Sequence, residues 1–227
     1  IVTYQTDDGP VAWYAYNRDT KKAELLFVNQ PDLAKYTLAK MEPVVIKTRD
    51  GFELVSYLTL PVGAEARNLP LVLNVHGGPH TQYSETMFDE AQMQAAAGFV
   101  VLMCNPRGRS GREQSWGQAI MGPKHPLGPC SGWGALDTDD VMTFLDAALA
   151  RYPYCDQQRV GMLGGSYGGY MATVLATRYS HRFRGICSER AVNNLLTEEY
   201  TSDISTLFRV EHGPRHIDDP DAYAQLS

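Results

Sequence analysis

The chain has no run of about 18 apolar residues, the length a helix needs to cross a bilayer, and Ile1 to Pro10 lack the basic-then-apolar order of a secretory leader. Neither a membrane span nor a membrane partner is therefore expected. Positive charge is also in short supply. The 20 Lys and Arg stand against 26 Asp and Glu, a net charge of −6, which is the wrong sign for neutralising phosphates, so no nucleic-acid partner is expected. Cysteine is sparse: four residues with no C-x-x-C pair make neither a disulfide scaffold nor a zinc ribbon. Cys104 and Cys187 close apolar, strand-like runs, where buried reduced thiols are expected, and a cytoplasmic setting follows. No Gly-Lys-Ser/Thr triplet occurs, so a P-loop is disfavoured. There is no Met at position 1 and the pattern opens in mid-course, so both ends read as cut.

What is present is ordinary globular composition, 44% hydrophobic and 20% charged, arranged in two parts. Residues 11–16 and 23–28 alternate as a hairpin around the polar turn 17–22. A lone hairpin is marginal in water, so residues 1–40 are expected to belong to a larger β structure. A second hairpin, 44–48 with 52–58, turns at Asp50-Gly51. Beyond it strands at 69–75, 99–104, 159–163 and 183–187 alternate with helical spacings over 85–97, 135–151 and 167–179, with a Gly- and Pro-rich loop over 122–134. That alternation predicts an α/β class, a doubly wound and mostly parallel sheet covered on both faces.

The chemistry centres on Gly164-Gly165-Ser166-Tyr167-Gly168-Gly169, a G-x-S-x-G segment between a predicted strand and a predicted helix. Small residues are required where the turn is sharp, and the turn projects the serine hydroxyl outward. At the helix start, free amides and the positive dipole end face any developing oxyanion. The pattern is short enough to arise by chance, and a tight structural turn is its bland reading; the strand, the helix and the extra glycines favour the chemical one. His76-Gly77-Gly78-Pro79 ends the 69–75 strand, where a hydrolase of this architecture carries its second oxyanion donor. Gly78 and Tyr167 are the candidate amides. His76 reads as a strand-end residue that holds its loop, because a base preceding the serine contradicts the Ser, acid, His order of such folds.

Taken in order, His76-Gly-Gly-Pro79, Asn105-Pro-Arg-Gly108, Trp133-Gly134 with Asp137 and Asp140, and Gly164-Gly-Ser-Tyr-Gly-Gly-Tyr-Met171 resemble the prolyl oligopeptidase family of serine peptidases. The likeness is strongest to its acylaminoacyl-peptidase and dipeptidyl-peptidase-like branch. It implies an α/β-hydrolase domain over 41–227, incomplete at its C-terminus, and residues 1–40 as the end of an N-terminal β-propeller with its connection. It implies acyl transfer through Ser166 on short peptides, with no metal or organic cofactor, and leaves a homo-oligomer open. Only one strand follows Ser166, so the acid and histidine are expected beyond Ser227, and this chain alone is expected to turn over no peptide. A triad from Asp203 with His212 or His216 is the disfavoured rival. An esterase or lipase, or a binding module without catalysis, are the alternative readings.

The remaining polar residues are weighed singly. Arg190, at the carboxyl edge of the sheet, is a candidate for substrate contact. Arg107 is a weaker one, equally readable as a loop-organising residue. Glu198-Glu199 reads as a solvated pair on a helix. Asp137, Asp139 and Asp140 read as first-turn carboxylates facing a helix dipole rather than as a metal site.

Overall fold

The structure, a computed structural model, describes residues 1–127 and 130–227; Gly128 and Pro129 of the Gly- and Pro-rich loop lie outside the described residues. Two sheets form. The first is antiparallel, with β1 (Val2–Tyr4), β2 (Ala12–Tyr16) and β3 (Ala23–Val28) side by side. Its β2–β3 hairpin is the one expected. The Asn17 side chain accepts from the amides of Asp19 and Thr20 to close the turn, and Trp13 stacks on Phe27 at 4.8 Å. This sheet is tied to the rest through Asp7, whose carboxylate accepts from Met41 N at 2.6 Å, and through Thr6, whose carbonyl accepts from Met87 N at 2.7 Å.

The second sheet contains β4 (Met41–Lys47), β5 (Glu53–Thr59), β6 (Leu69–Val75), β7 (Val100–Cys104), β8 (Cys155–Gly165) and β9 (Gly185–Glu189), in the order β4-β5-β7-β6-β8-β9. The β4–β5 and β5–β7 pairs are antiparallel and the other pairs parallel. The helices are α1 (Asp89–Ala96), α2 (Gln114–Gln118), α3 (Leu136–Arg151), α4 (Tyr167–Arg178), α5 (Leu195–Thr201), α6 (Ser205–His212) and α7 (Pro220–Ala224). Among the described residues no helix is long and apolar enough to cross a membrane.

Alternation along β7 shows how the layers are held. Val100, Leu102 and Cys104 enter the larger core with Val141, Phe144, Leu145 and Ala148 of α3, while Val101 and Met103 point to a smaller core with Ala91 and Ala95 of α1. The α3 residues recur at i, i+3, i+4 and i+7, one helical stripe. Burying each of the larger ones contributes about 1.5–3 kcal/mol.

Two expectations need correction here. Helix α1 starts at Asp89 rather than at Glu85, because Phe88 is extended and its ring packs on Tyr83 at 5.4 Å. Cys187 is exposed rather than buried; among the described strands β9 pairs with β8 alone.

Candidate active site

Strands β6 and β8 are parallel neighbours, with Val75 opposite Gly164. The segments leaving their carboxyl ends therefore emerge side by side. The chain passes from β6 to β7 on one flank, while β8 lies on the other, the switch in strand order where open α/β sheets place their sites.

At the end of β8 the backbone of Ser166 takes φ 60° and ψ −118°, a region almost closed to residues with a side chain. It is pinned on both sides: Ser166 N donates to Glu189 O and Tyr170 N donates to Ser166 O, each at 3.0 Å. Close approach explains the flanking glycines. A Cβ on Gly164 would stand 2.1 Å from Gly168 O, and one on Gly168 would stand 2.1 Å from Val75 O. The Ser166 side chain is half-buried in a cavity of about 290 Å³ shared with Gly77, Tyr83, Glu189 and Arg190. No hydrogen bond engages its hydroxyl among the described residues. Tyr167 is the first residue of α4, so its amide is one of those a helix leaves unpaired. Its ring is fully buried and its hydroxyl donates to Asp137; burial, then Asp137, hold the phenol well above its ordinary value.

The loop after β6 approaches this turn closely. A Cβ on Gly77 would lie 3.4 Å from Ser166 Cβ and 3.9 Å from its Oγ. Gly78, exposed, has φ 121°, and a Cβ there would meet His80 N at 2.7 Å. His76 is buried, and its Nδ1 donates to Gly77 O at 2.7 Å, with the Thr81 hydroxyl also donating to that carbonyl at 2.6 Å. Burial lowers the His76 pKa. The residue holds its loop, as the strand-end reading has it. On the far side of Gly78 opens a larger cavity of about 540 Å³, walled by Pro79, Met121, Trp133, Leu207 and Phe208.

Residues 85–227 match the model of the prolyl oligopeptidase family. The chain belongs to the prolyl oligopeptidase family. It is 32% identical over 216 residues to the uncharacterized peptidase YuxL of Bacillus subtilis, covering 93% of this chain and 31% of that protein. With dipeptidyl aminopeptidase BIII of Pseudoxanthomonas mexicana it shares 35% over 177 residues, covering 75% and 24%. Among solved structures it superposes on an acylaminoacyl peptidase in complex with Z-Gly-Gly-Phe-chloromethyl ketone with a TM-score of 0.84 at 25% identity, covering 99% of this chain and 35% of that one. The acylaminoacyl peptidase of Pyrococcus horikoshii gives the same TM-score at 26% identity, covering 99% and 34%. The chain thus spans about a third or less of the length of these relatives, and its sheet is that of the acylaminoacyl peptidases.

Within this prolyl oligopeptidase fold the other candidate residues separate. Arg190 stands beside Ser166: φ 40°, side chain exposed, its guanidinium against Gly165 and paired with Glu189 at 2.9 Å. Arg107 does not reach the site. Its side chain is buried, with Nε and Nη2 donating to Asp140 at 2.8 and 2.6 Å and Nη1 to Asp50 at 2.5 Å, so the loop-organising reading holds and substrate contact does not. Asp137 and Asp140 spend their carboxylates on Tyr167 and Arg107 while Asp139 faces solvent, which leaves no shared metal-binding space between them. Glu199 is buried rather than solvated, accepting from His216 N at 2.9 Å, because the inner side of α5 carries Leu195 and Glu199 one turn apart. His212 is sealed among the rings of Trp133, Phe208 and Tyr223, and His216 lies against Tyr200 and Tyr223. Neither bonds to Ser166. Two polar residues next to the site carry no sequence signal of a role, His80 and Glu211.

Proposed function

We propose that Ser166 is the nucleophile of a serine peptidase that acts on short peptides through an acyl-enzyme. The observation that carries this reading is the backbone of Ser166 at φ 60°, which turns a hydroxyl with no hydrogen bond among the described residues toward the loop at Gly77. Ser166 Oγ attacks the scissile carbonyl and passes its proton to a histidine, the carbonyl oxygen becomes an oxyanion facing the Gly78 and Tyr167 amides, and the amine leaves with that proton. Water then releases the acyl group by the same route. No cofactor takes part in these steps.

The histidine and its acid partner are supplied from beyond Ser227 in this proposal; without them the hydroxyl is an ordinary alcohol and a poor nucleophile at neutral pH. Residues 41–227 form the hydrolase part, and residues 1–40 the end of a β-propeller with its connection, a division supported by the separate sheet of β1 to β3. Arg190 is placed to meet the substrate backbone. The apolar cavity beside Gly78 suits an apolar side chain, in keeping with the Phe-bearing ligand of the related acylaminoacyl peptidase. A cytoplasmic location belongs to the same proposal.

The test is covalent labelling of the full-length protein with a fluorophosphonate, followed by peptide mapping. Modification at Ser166, lost in Ser166→Ala together with peptide turnover, is the expected result. A label on another serine, or no label, overturns the reading.

A further inference from the structure

One buried carboxylate bonds to a neighbour of each half of the candidate oxyanion site. Glu211, on the last turn of α6, is 7% exposed. Its Oε2 lies 2.6 Å from His80 Nε2, and its Oε1 accepts from Trp133 Nε1 at 2.9 Å. His80 is two residues beyond Gly78, close enough that a Cβ on Gly78 would strike its amide. Trp133 packs its ring edge-on against Tyr167 at 4.9 Å and against Tyr170 at 5.5 Å. One arm of the carboxylate thus reaches the segment that carries one amide, and the other reaches the ring that backs the residue carrying the second.

We propose that Glu211 is a positioning residue for the oxyanion hole, setting the spacing between the Gly78 and Tyr167 amides by holding His80 with one oxygen and Trp133 with the other. This rests on the reading of Ser166 as nucleophile. The connection is stiff at each joint. His80 Nδ1 also faces Gly108 O at 2.7 Å, so the ring is gripped at both nitrogens and cannot rotate without losing two bonds. A carbonyl oxygen only accepts, so Nδ1 carries a proton, and the ring can donate to both partners only as the imidazolium. The hydrogen bond that His80 donates to Glu211 accordingly raises the His80 pKa against the effect of burial. At this same end of α6, the Glu211 carbonyl accepts from Gly122 N at 2.8 Å, which fixes the helix end that presents the carboxylate.

Glutamine at 211 keeps the shape but offers one acceptor oxygen where two donors wait, so one of the two arms is released. The experiment uses full-length protein and two readouts, steady-state turnover of a peptide substrate and inhibition by a peptide boronate, whose tetrahedral adduct occupies the oxyanion position. Removing an oxyanion donor outright costs about 10²–10³ in kcat, so displacing one should cost about tenfold or more. In Glu211→Gln, kcat and boronate affinity are expected to fall together by about tenfold or more while KM stays within about twofold. His80→Gln should do the same, and it provides the second arm if Glu211→Gln folds poorly. A wild-type kcat and boronate affinity in a folded variant overturn the proposal, as does a change confined to KM. If wild-type protein is not labelled at Ser166 by the fluorophosphonate, the parent reading fails instead, and the two failures are told apart.

Discussion

The turn at Ser166 and the loop at Gly78 stand within a few ångströms of one another, yet they are held in place by different physics. The turn is set by exclusion: Gly164 and Gly168 are where they are because any Cβ would run into Gly168 O or Val75 O. The loop is set by attachment, through His80 to Gly108 and Glu211, through Ser110 N to Thr81 O, and through His76 and Thr81 to Gly77 O. Steric exclusion acts between residues close in the chain and leaves a spacing of glycines behind it. Polar attachment joins residues up to 131 positions apart and leaves no pattern at all.

Substitutions should expose this difference. The largest effect is expected at the turn, where Gly168→Ala drives a methyl into Val75 O and must pry α4 from β6. The loss should exceed about 3 kcal/mol, beyond the ordinary cost of overpacking, and urea unfolding of the full-length protein or its failure to accumulate in soluble form measures it. A stability loss under about 1 kcal/mol would mean that the turn yields and that exclusion is not what sets it.

On the loop side the anchors lie one step back. Arg107 and Asp140 hold the 105–110 segment on which His80 and Thr81 rest, and Asp140→Ala strands a buried guanidinium that keeps only Asp50. Breaking a buried pair by removing one partner costs about 3–5 kcal/mol; the retained contact with the half-exposed Asp50 favours the lower end. Chemical denaturation is the measurement, and a loss below about 1 kcal/mol would show the loop to be self-supporting.

The smallest effect is conditional on pH. His212, next to Glu211 and packed among Trp133, Phe208 and Tyr223, has its pKa pushed down by burial from 6.5 to about 4. Between those values the unfolded chain takes up a proton that the folded chain refuses, so stability falls as pH falls from about 6.5 toward 4. By pH 5 the loss is about 2 kcal/mol at roughly 1.4 kcal/mol per pH unit. His212→Leu should lack this slope, compared with the parent protein at pH 7, 6 and 5; parallel curves for the two proteins would refute the assignment.

The same contrast explains what the sequence made legible. Strand β6 was expected at its observed bounds, Leu69–Val75, and the hairpin of β2 and β3 nearly so, because apolar runs and turn residues are local signals. Ser166, its glycines and the helix that follows were legible for the same reason. The sequence left Arg107 between substrate contact and loop organisation because its partners, Asp50 and Asp140, come from separate elements that only the fold assembles. Glu199 and Cys187 failed in opposite directions. Burial of Glu199 depends on how α5 turns inward, and exposure of Cys187 on what packs beside β9, neither of which is encoded in a short window of residues.

The left-handed backbone at Ser166 has one further consequence. Because the main chain, rather than a choice of rotamer, sends the side chain outward, the aim of this position is indifferent to what the side chain is. Any residue with a Cβ sits there at a cost of about 1–3 kcal/mol, and glycine, the one residue at ease in that conformation, carries no hydroxyl. If Ser166 is the nucleophile proposed above, stability and a reactive oxygen pull this position in opposite directions, and the rest of the domain must carry the difference.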